Sequence, residues 1–325
     1  MLGSVTPGEL GFTQCHEHIM LSKGVSFKCC PSLWMDDIEA SIKEVKAFRE
    51  MGGAALVEAQ PPGCNRMSEE LKNISLRTGV HIVASTGFHK MQFYPKEHWI
   101  RRTDKDRLAE FFAEELTKGM YVGTEHTSPF EAGGSFRQTD ARGKVFKTRT
   151  CAGIIKTALD SCGLDGVYKE LFLAAAAAQK ETGAPMMVHI EQGSSPVELM
   201  CFLEDMGVDL SRVYFCHMDR ACRNQEVIRQ VLKRGISLEF DTIGRFKYHS
   251  DEEELKLIKG VLSEYEDQLL LSLDTTRTRL KSYCKDAVGI TYILETFLPM
   301  MRKEGVSIKQ LKKIFLENPA GILAW

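Results

Sequence analysis

The 325-residue sequence has almost no excess charge of either sign: 42 Lys and Arg stand against 44 Asp and Glu, a net −2. That balance gives no global attraction to nucleic acid or to an anionic membrane surface. A long apolar run is also missing; nothing approaches the roughly 20 residues that span a bilayer. The most apolar stretch, Ala174 to Ala178, is hemmed in by Glu170, Lys180 and Glu181, as in a packed helix. No charged start followed by an apolar segment and a cleavage site is present, so a secretory route is not expected. The ten cysteines form no framework. They are scattered, and Cys29-Cys30 ahead of Pro31 lacks the spacing of a zinc knuckle. Free, mostly buried thiols in a reducing, cytoplasmic compartment are the expectation. Solenoid repeats and a domain linker are absent too. With 43% hydrophobic residues the chain has core enough for a single domain over 1–325.

What is present begins with Gly11-Phe12-Thr13-Gln14-Cys15-His16-Glu17-His18. It reads as a short buried strand, and alternation puts His16 and His18 on one face and Glu17 on the other. A helix follows over about Asp36–Met51, then a strand at Ala54–Ala59, a helix at Met67–Thr78 and a strand at His81–Gly87. Further strands are expected at Cys151–Lys156, Pro185–Ile190, Arg212–His217, Ile236–Thr242 and Leu269–Asp274. Helices fill the intervals, and two more, Gly289–Met301 and Ser307–Leu316, precede Asn318-Pro319. The strands are too uniformly apolar to have a wet face, which is how a helix-covered parallel sheet reads. Eight of them alternating with helices predict an α/β protein, a single (β/α)8 TIM barrel. The irregular stretch Tyr121–Thr150 reads as a functional loop or small flap.

Active sites of such barrels lie at the C-terminal ends of the strands. There the sequence places His16 and His18, Lys156, His189, His217 and Asp274. These polar groups would be costly to gather in one mouth without a metal to pair them, and imidazole with carboxylate suits Zn2+, Mn2+ or Co2+. His81 falls at the opposite end of the barrel and reads as structural; His98 and His126 read as solvated. Glu17 is expected to find a buried partner. Asp219 could support metal or substrate, or cap a helix.

The ordered set resembles the amidohydrolase superfamily, and within it the phosphotriesterase family of binuclear metal hydrolases. The residues that carry the likeness are His16-Glu17-His18, Ala152-Gly153-Ile154-Ile155-Lys156, His189, His217 with Asp219, Asp274, and Asn318-Pro319-Ala320. The resemblance implies two divalent ions, zinc first. His16, His18 and Asp274 would hold the more buried ion and His189 and His217 the more exposed one. Lys156, carboxylated by CO2, would bridge them, because an ammonium has no lone pair to offer. It also implies a metal-bridged hydroxide as nucleophile, with Asp274 as the catalytic proton acceptor.

The loops bear on the substrate. Arg245, Lys247 and Tyr248 follow strand seven, and Arg277, Arg279 and Tyr283 follow strand eight; His89 follows strand three. So many cations in a near-neutral chain favour an anionic substrate. Thr86-Gly87-Phe88-His89-Lys90 and Gly244-Arg245-Phe246-Lys247-Tyr248 resemble the lactonase subgroup that opens phosphorylated sugar lactones. The spacing beyond Asp274 departs from that subgroup, so which of Arg277, Arg279 and Tyr283 meets phosphate stays open. The expected partner is a small anionic lactone, with no nucleic acid, no membrane and a homodimer as the assembly. The alternatives are phosphotriester or acyl-homoserine-lactone hydrolysis, which want an apolar pocket, and a catalytically silent metal-binding barrel.

Overall fold

The computed structural model describes residues 1–131, 136 and 145–325. Eight strands run in parallel, in chain order around one sheet: β1 (Phe12–Glu17), β2 (Gly53–Glu58), β3 (His81–Gly87), β4 (Ile154–Leu159), β5 (Met186–Ile190), β6 (Val213–Cys216), β7 (Ser237–Phe240) and β8 (Leu269–Leu271). Sequential order with helical crossovers is the (β/α)8 arrangement. The larger helices are α1 (Ile38–Glu50), α2 (Ser68–Thr78), α3 (Lys105–Thr117), α4 (Val167–Thr182), α5 (Pro196–Asp205), α6 (Gln225–Lys233) and α7 (Asp251–Tyr265). Their starts follow from capping chemistry. Asp37, Asp104, Ser195, Asn224 and Ser250 each accept a backbone N–H of the first turn. Among the described residues no helix is long and apolar enough to cross a membrane.

The core has two layers. Cys15, Val57, Ile154, Met187, Tyr214 and Leu270 fill the barrel interior. Leu56, Ile82, Ile155, Val188, Phe215 and Phe240 pack outward against the helices. Burial of this kind is worth about 25 cal/mol per Å² of apolar surface removed from water.

The seam between β8 and β1 is closed by a side chain rather than by a ladder. Glu17, fully buried, accepts from Leu273 N (2.9 Å), Thr275 N (2.9 Å) and Thr275 Oγ1 (2.6 Å). Asp274 N adds a bond to His16 O at 3.0 Å. Glu17 therefore has the buried partner its outward position demanded.

The register of β1 with β2 shifts twice, between Phe12 and Thr13 and again between Gln14 and Glu17. Gln14 pairs with Leu56 and Glu17 with Glu58, so three steps of β1 face two of β2. Such a bulge lets consecutive side chains share a face. Cys15 joins the interior cluster while His16 also points inward at Asp241. His16 and His18 keep a common face, both turned toward Asp274.

Other boundaries shift for identifiable reasons. Strand four begins at Ile154, three residues later than expected, and runs on through Thr157-Ala158-Leu159. Cys151–Gly153 instead approaches beneath it, with Ala152 N bonded to Glu115 O. The chain does not stop at Asn318-Pro319 either: a helix continues over Asn318–Leu323. Both C-terminal prolines, Pro299 and Pro319, follow a π-helical turn, Ile293–Phe297 and Lys313–Glu317 respectively. A proline lacks an N–H and crowds the carbonyl four residues back, and the wider turn accommodates it.

The described part of the 121–150 stretch forms a short antiparallel pair, Tyr121–Val122 with Phe146–Lys147. It packs on α3 through Phe130, whose ring lies 6.0 Å from Phe111, and Arg107 sits 5.5 Å above the Phe130 ring. None of its described residues lines the catalytic cavity. The remainder of that expected flap, 132–135 and 137–144, lies outside the described residues.

Candidate metal centre and substrate cavity

The six expected ligands converge at the mouth. His18, His217 and Asp274 lie just beyond β1, β6 and β8, and His189 lies near the end of β5. Lys156 is mid-strand, level with Gly87 at the end of β3. Gly87 has φ +96°, and a Cβ there would stand 1.9 Å from Lys156 O. Only glycine lets β3 end this close to the lysine. Two of the ligands occupy the left-handed region, His217 at φ 63° and Asp274 at φ 46°. Such strain costs of order 1–3 kcal/mol each and persists where surrounding bonds over-determine it. Here His217 N donates to Asp241 Oδ2 (3.2 Å) and Asp274 N to His16 O.

Each histidine has one nitrogen beside a carboxylate and the other turned inward; in His18, His189 and His217 the first is hydrogen-bonded, whereas His16 Nδ1 has carboxylate neighbours but no hydrogen bond. His18 Nδ1 faces Glu58 Oε1 at 3.1 Å, and Glu58 is itself held by the Ile19 and Gln60 amides. His16 Nδ1 faces Asp241 Oδ2 at 3.1 Å, and His217 Nδ1 faces Asp241 Oδ1 at 2.6 Å. His189 Nε2 faces Glu191 Oε2 at 3.1 Å. A carboxylate accepts, so the outer nitrogens carry the protons and the inner ones present lone pairs. Those inner atoms meet. His189 Nδ1 and His217 Nε2 lie 2.8 Å apart. His16 Nε2 and His18 Nε2 lie 3.7 and 3.6 Å from Asp274 Oδ1. Lone pairs aimed at one another and at a carboxylate are repulsive unless a proton or a metal ion stands between them. The donor set therefore fits divalent metal, and His16, His18 and Asp274 form one such group.

The electrostatics agree. Burial and Lys156 push His16 down, yet Asp241, Glu239 and Asp274 outweigh them and raise it to about 9. The carboxylates thus demand positive charge at that point. Burial, with Arg220 and Lys156, holds His189 and His217 well below the usual imidazole range. Asp274 is pushed up by burial, but Arg245, His16, His18 and Arg220 outweigh this and keep it well below the usual carboxylate range. Lys156 is 0% exposed, and its Nζ contacts Met187 Sδ at 3.2 Å. No carboxylate of the described residues lies within ion-pair reach of it. A buried lysine amino group with no oxygen partner is an expensive arrangement.

A cavity of about 520 Å³ opens over these groups. Of the expected substrate residues, His89, Arg245, Lys247, Tyr248 and Arg279 line it. Arg245 is bound to Asp274, with Nη2 2.9 Å from Oδ2 and a further bond to the Asp274 carbonyl. Arg279 donates to Ile243 O (2.7 Å) and Gly244 O (3.0 Å), so it shapes the β7 loop. His89 Nδ1 accepts from Lys90 N at 2.7 Å, which leaves Nε2 as a donor.

Arg277 and Tyr283 stand elsewhere, a correction to their expected place. Arg277 donates to Trp34 O (3.1 Å) and lies over the Trp34 and Tyr283 rings at 4.8 and 5.1 Å. Tyr283 OH donates to Asp37 O at 2.6 Å. Two residues of separation in the tight turn Arg277–Arg279 send the two arginines to different sides. Asp219 lies behind the cavity, accepting from Thr242 N at 2.6 Å.

Sequence reasoning missed Glu58, Asp241, Glu191 and Arg220. Glu58 and Asp241 were visible as carboxylates closing apolar strands, the position where histidine-orienting groups belong. Glu191, which also pairs with Lys90, follows its histidine by two residues. Arg220 falls one helical step beyond His217, and it lines the cavity. Its Nε is buried without a partner, and its guanidinium lies 5.4 Å from the Tyr248 ring. Lys247 lies 4.6 Å from the same ring. Burial pushes the Tyr248 phenol up, but Arg220, Lys247 and Arg245 together pull it below its ordinary value.

The chain matches the family model described as "Phosphotriesterase family" over residues 1–148 and 139–323. It is 26% identical over 336 residues to the phospho-furanose lactonase of Mycoplasmopsis synoviae, covering 100% of this chain and 91% of that protein. The structure of an amidohydrolase from Mycoplasma synoviae superposes with a TM-score of 0.90 at 26% identity, over 100% of this chain and 90% of the other. That of a lactonase from Listeria monocytogenes does so with 0.85 at 27%, over 99% and 97%. Because the family model accounts for both halves of the chain, and solved barrels superpose on essentially all of it, this protein belongs to the phosphotriesterase family.

Proposed function

We propose that this chain is a two-metal lactonase that opens a phosphorylated sugar lactone. One observation supports the reading: inward-facing ligand atoms and Lys156 share a mouth with two cations, Arg220 and Lys247, that no carboxylate of the described residues pairs. The relatives named for lactone hydrolysis, one of them a phospho-furanose lactonase, support it.

His16, His18 and Asp274 would hold one ion, His189 and His217 the other, with zinc expected from the mixed imidazole–carboxylate set. When bound, such ions supply Lewis-acid polarisation of the lactone carbonyl and water activation near neutral pH. Lys156 as a carbamate would serve both ions: its neutral amine adds CO2, releases a proton and becomes an anion with two oxygen donors. That change also removes the unpaired buried amino group.

The other steps belong to the side chains. Arg245 fixes Asp274 Oδ2, and the charges around Asp274 keep it ionised and ready to take the proton of the attacking water. Asp274 can return that proton to the ring oxygen as the acyl C–O bond breaks, leaving a hydroxy acid. His89 offers its Nε2 proton to a substrate oxygen. Arg220 and Lys247 receive the phosphate. Because the mouth is ringed by cations, uncharged phosphotriesters and greasy acyl-homoserine lactones fit it poorly. The silent-barrel alternative is disfavoured because every ligand position is filled by a competent donor. All ten cysteines are free thiols, which supports a cytoplasmic location.

The test is a panel of lactones, phosphorylated and neutral, scored by acid release with zinc- or manganese-loaded protein. The expected result is fastest opening of a phosphorylated sugar lactone, abolished by chelation. Preference for a neutral lactone or a phosphotriester, or no turnover in loaded protein, would overturn the reading.

A further inference from the structure

Behind the catalytic mouth lies a second group of buried ligands. Asp219, in the short helix Met218–Ala221 after β6, His249 at the end of the β7 loop and Glu254 in the first turn of α7 bring one ligand atom each within 4.8 Å of one another. None of the three lines the catalytic cavity. Asp219 and Glu254 are 0% exposed and His249 is 6% exposed.

The hydrogen bonds fix the histidine's orientation. His249 Nδ1 lies 3.1 Å from Ser250 O, and a carbonyl only accepts, so Nδ1 carries a proton. The opposite nitrogen, Nε2, faces Glu254 Oε2 and Thr242 Oγ1, each at 2.9 Å. This is the arrangement of the catalytic histidines, one nitrogen tied to an acceptor and the other turned toward a carboxylate. Asp219 Oδ2 accepts from Thr242 N, but Asp219 Oδ1 and Glu254 Oε1 are buried with no hydrogen-bond partner. Two carboxylates share one imidazole here, with Arg220 and Arg223 near them but bonded to neither. A proton on Nε2 would supply a single positive charge and still leave Asp219 Oδ1 orphaned. A divalent ion matches both carboxylates with the histidine neutral, and gives the orphaned oxygens a ligand. Arg223, the cation of the adjoining loop, is exposed and acts on Glu254 only at a distance, without forming an ion pair.

We propose that Asp219, His249 and Glu254 form a further divalent-cation site, distinct from the catalytic centre, that clamps the β6 and β7 loops to α7. The donor set suits zinc or manganese. Such a clamp has a clear use. Asp219 is two residues from His217, and Thr242 adjoins Asp241, which orients both His16 and His217. A bound ion would hold the strained His217 backbone and its carboxylate partner in register. The proposal stands apart from the lactonase reading and does not depend on any substrate.

The test counts ions. Protein purified without chelator is loaded with zinc, freed of excess and assayed by elemental analysis, as wild type and as Asp219→Asn, His249→Gln and Glu254→Gln. Each variant should carry one zinc per chain fewer than wild type. Equal counts in wild type and variants would overturn the site. A variant that fails to fold would lose the catalytic ions as well, so a second measurement uses wild type alone: anomalous diffraction at the zinc edge from zinc-grown crystals. A peak among Asp219, His249 and Glu254 supports the site. Peaks confined to the catalytic mouth refute it, whatever lactones the enzyme opens.

Discussion

Arg220→Met separates recognition from stability, because the first should fall far while the second hardly moves. Among the described residues no carboxylate forms an ion pair with the guanidinium, and its Nε is buried unbonded, an omission worth about 1–3 kcal/mol against the fold; the nearby charges of Asp274, Asp241 and Asp219 work the other way. Its contact with the Tyr248 ring returns about 0.5–1 kcal/mol. Methionine keeps a similar length but loses both the burial penalty and the attraction of Asp274, Asp241 and Asp219, so the folded state should change by less than about 2 kcal/mol and Tm by no more than a few degrees. Activity should fall. If Arg220 receives the phosphate, the lost charge-assisted bond is worth about 1.5–3 kcal/mol, or roughly ten- to a hundredfold in kcat/KM. The neutral lactone never made that bond and should change little. Arg220→Lys, retaining charge without the planar fork, should fall between wild type and Arg220→Met on the phosphorylated substrate. The assay is paired: kcat/KM on both lactones, with thermal unfolding of the same preparations. Equal slowing on both substrates would show that Arg220 acts on the reacting centre, and a large drop in Tm would show that the guanidinium is structurally satisfied. Either result refutes the reasoning.

Three other perturbations follow from the geometry. Lys156→Ala should lose metal and most turnover, with partial rescue by added short carboxylic acids; full metal content and rate would remove the bridging role. Asp274→Asn should slow the chemical step by about 10²–10⁴-fold, measured as kcat at saturating metal so that lost ligation is not mistaken for lost proton transfer; an undiminished kcat would acquit it. Glu17→Gln sets an amide NH2 against the donors of Leu273 and Thr275, and should cost about 1–3 kcal/mol. Thermal unfolding of the metal-free protein would report it, and an unchanged Tm would mean that the seam is held by other contacts.

The legibility of the chain was uneven for physical reasons. Strand three was readable to the residue, His81–Gly87, because a turn glycine bounds it on either side. The metal-facing residues were readable because imidazoles at the ends of apolar strands have few other uses. Strand four was misplaced by three residues because Cys151-Ala152-Gly153 is as apolar as the strand it leads into. The β1 bulge was invisible, since nothing in Gln14-Cys15-His16 differs locally from a regular strand; its cause lies in register with β2. Arg277 and Arg279 could not be told apart in sequence, since their directions depend on the turn between them. Arg220 was overlooked because a lone arginine after a ligand looks like ordinary surface charge until its missing partner is seen.

The clasp at the barrel seam has a consequence for how the protein is made. Glu17 and its partners at Leu273 and Thr275 are 256 and 258 positions apart, and His16 and His18 share their prospective ion with Asp274. During synthesis the first strand must wait for the last before either its outward carboxylate or its inward histidines find their complements. Contacts of such long sequence separation form late and slowly. A nascent chain that has not yet added its eighth strand holds an incomplete ligand set with an open edge beside it. Metal uptake at the position proposed for His16, His18 and Asp274 would therefore double as a signal that the ring has closed, and a chain stalled before Asp274 would be both metal-poor there and exposed along β1.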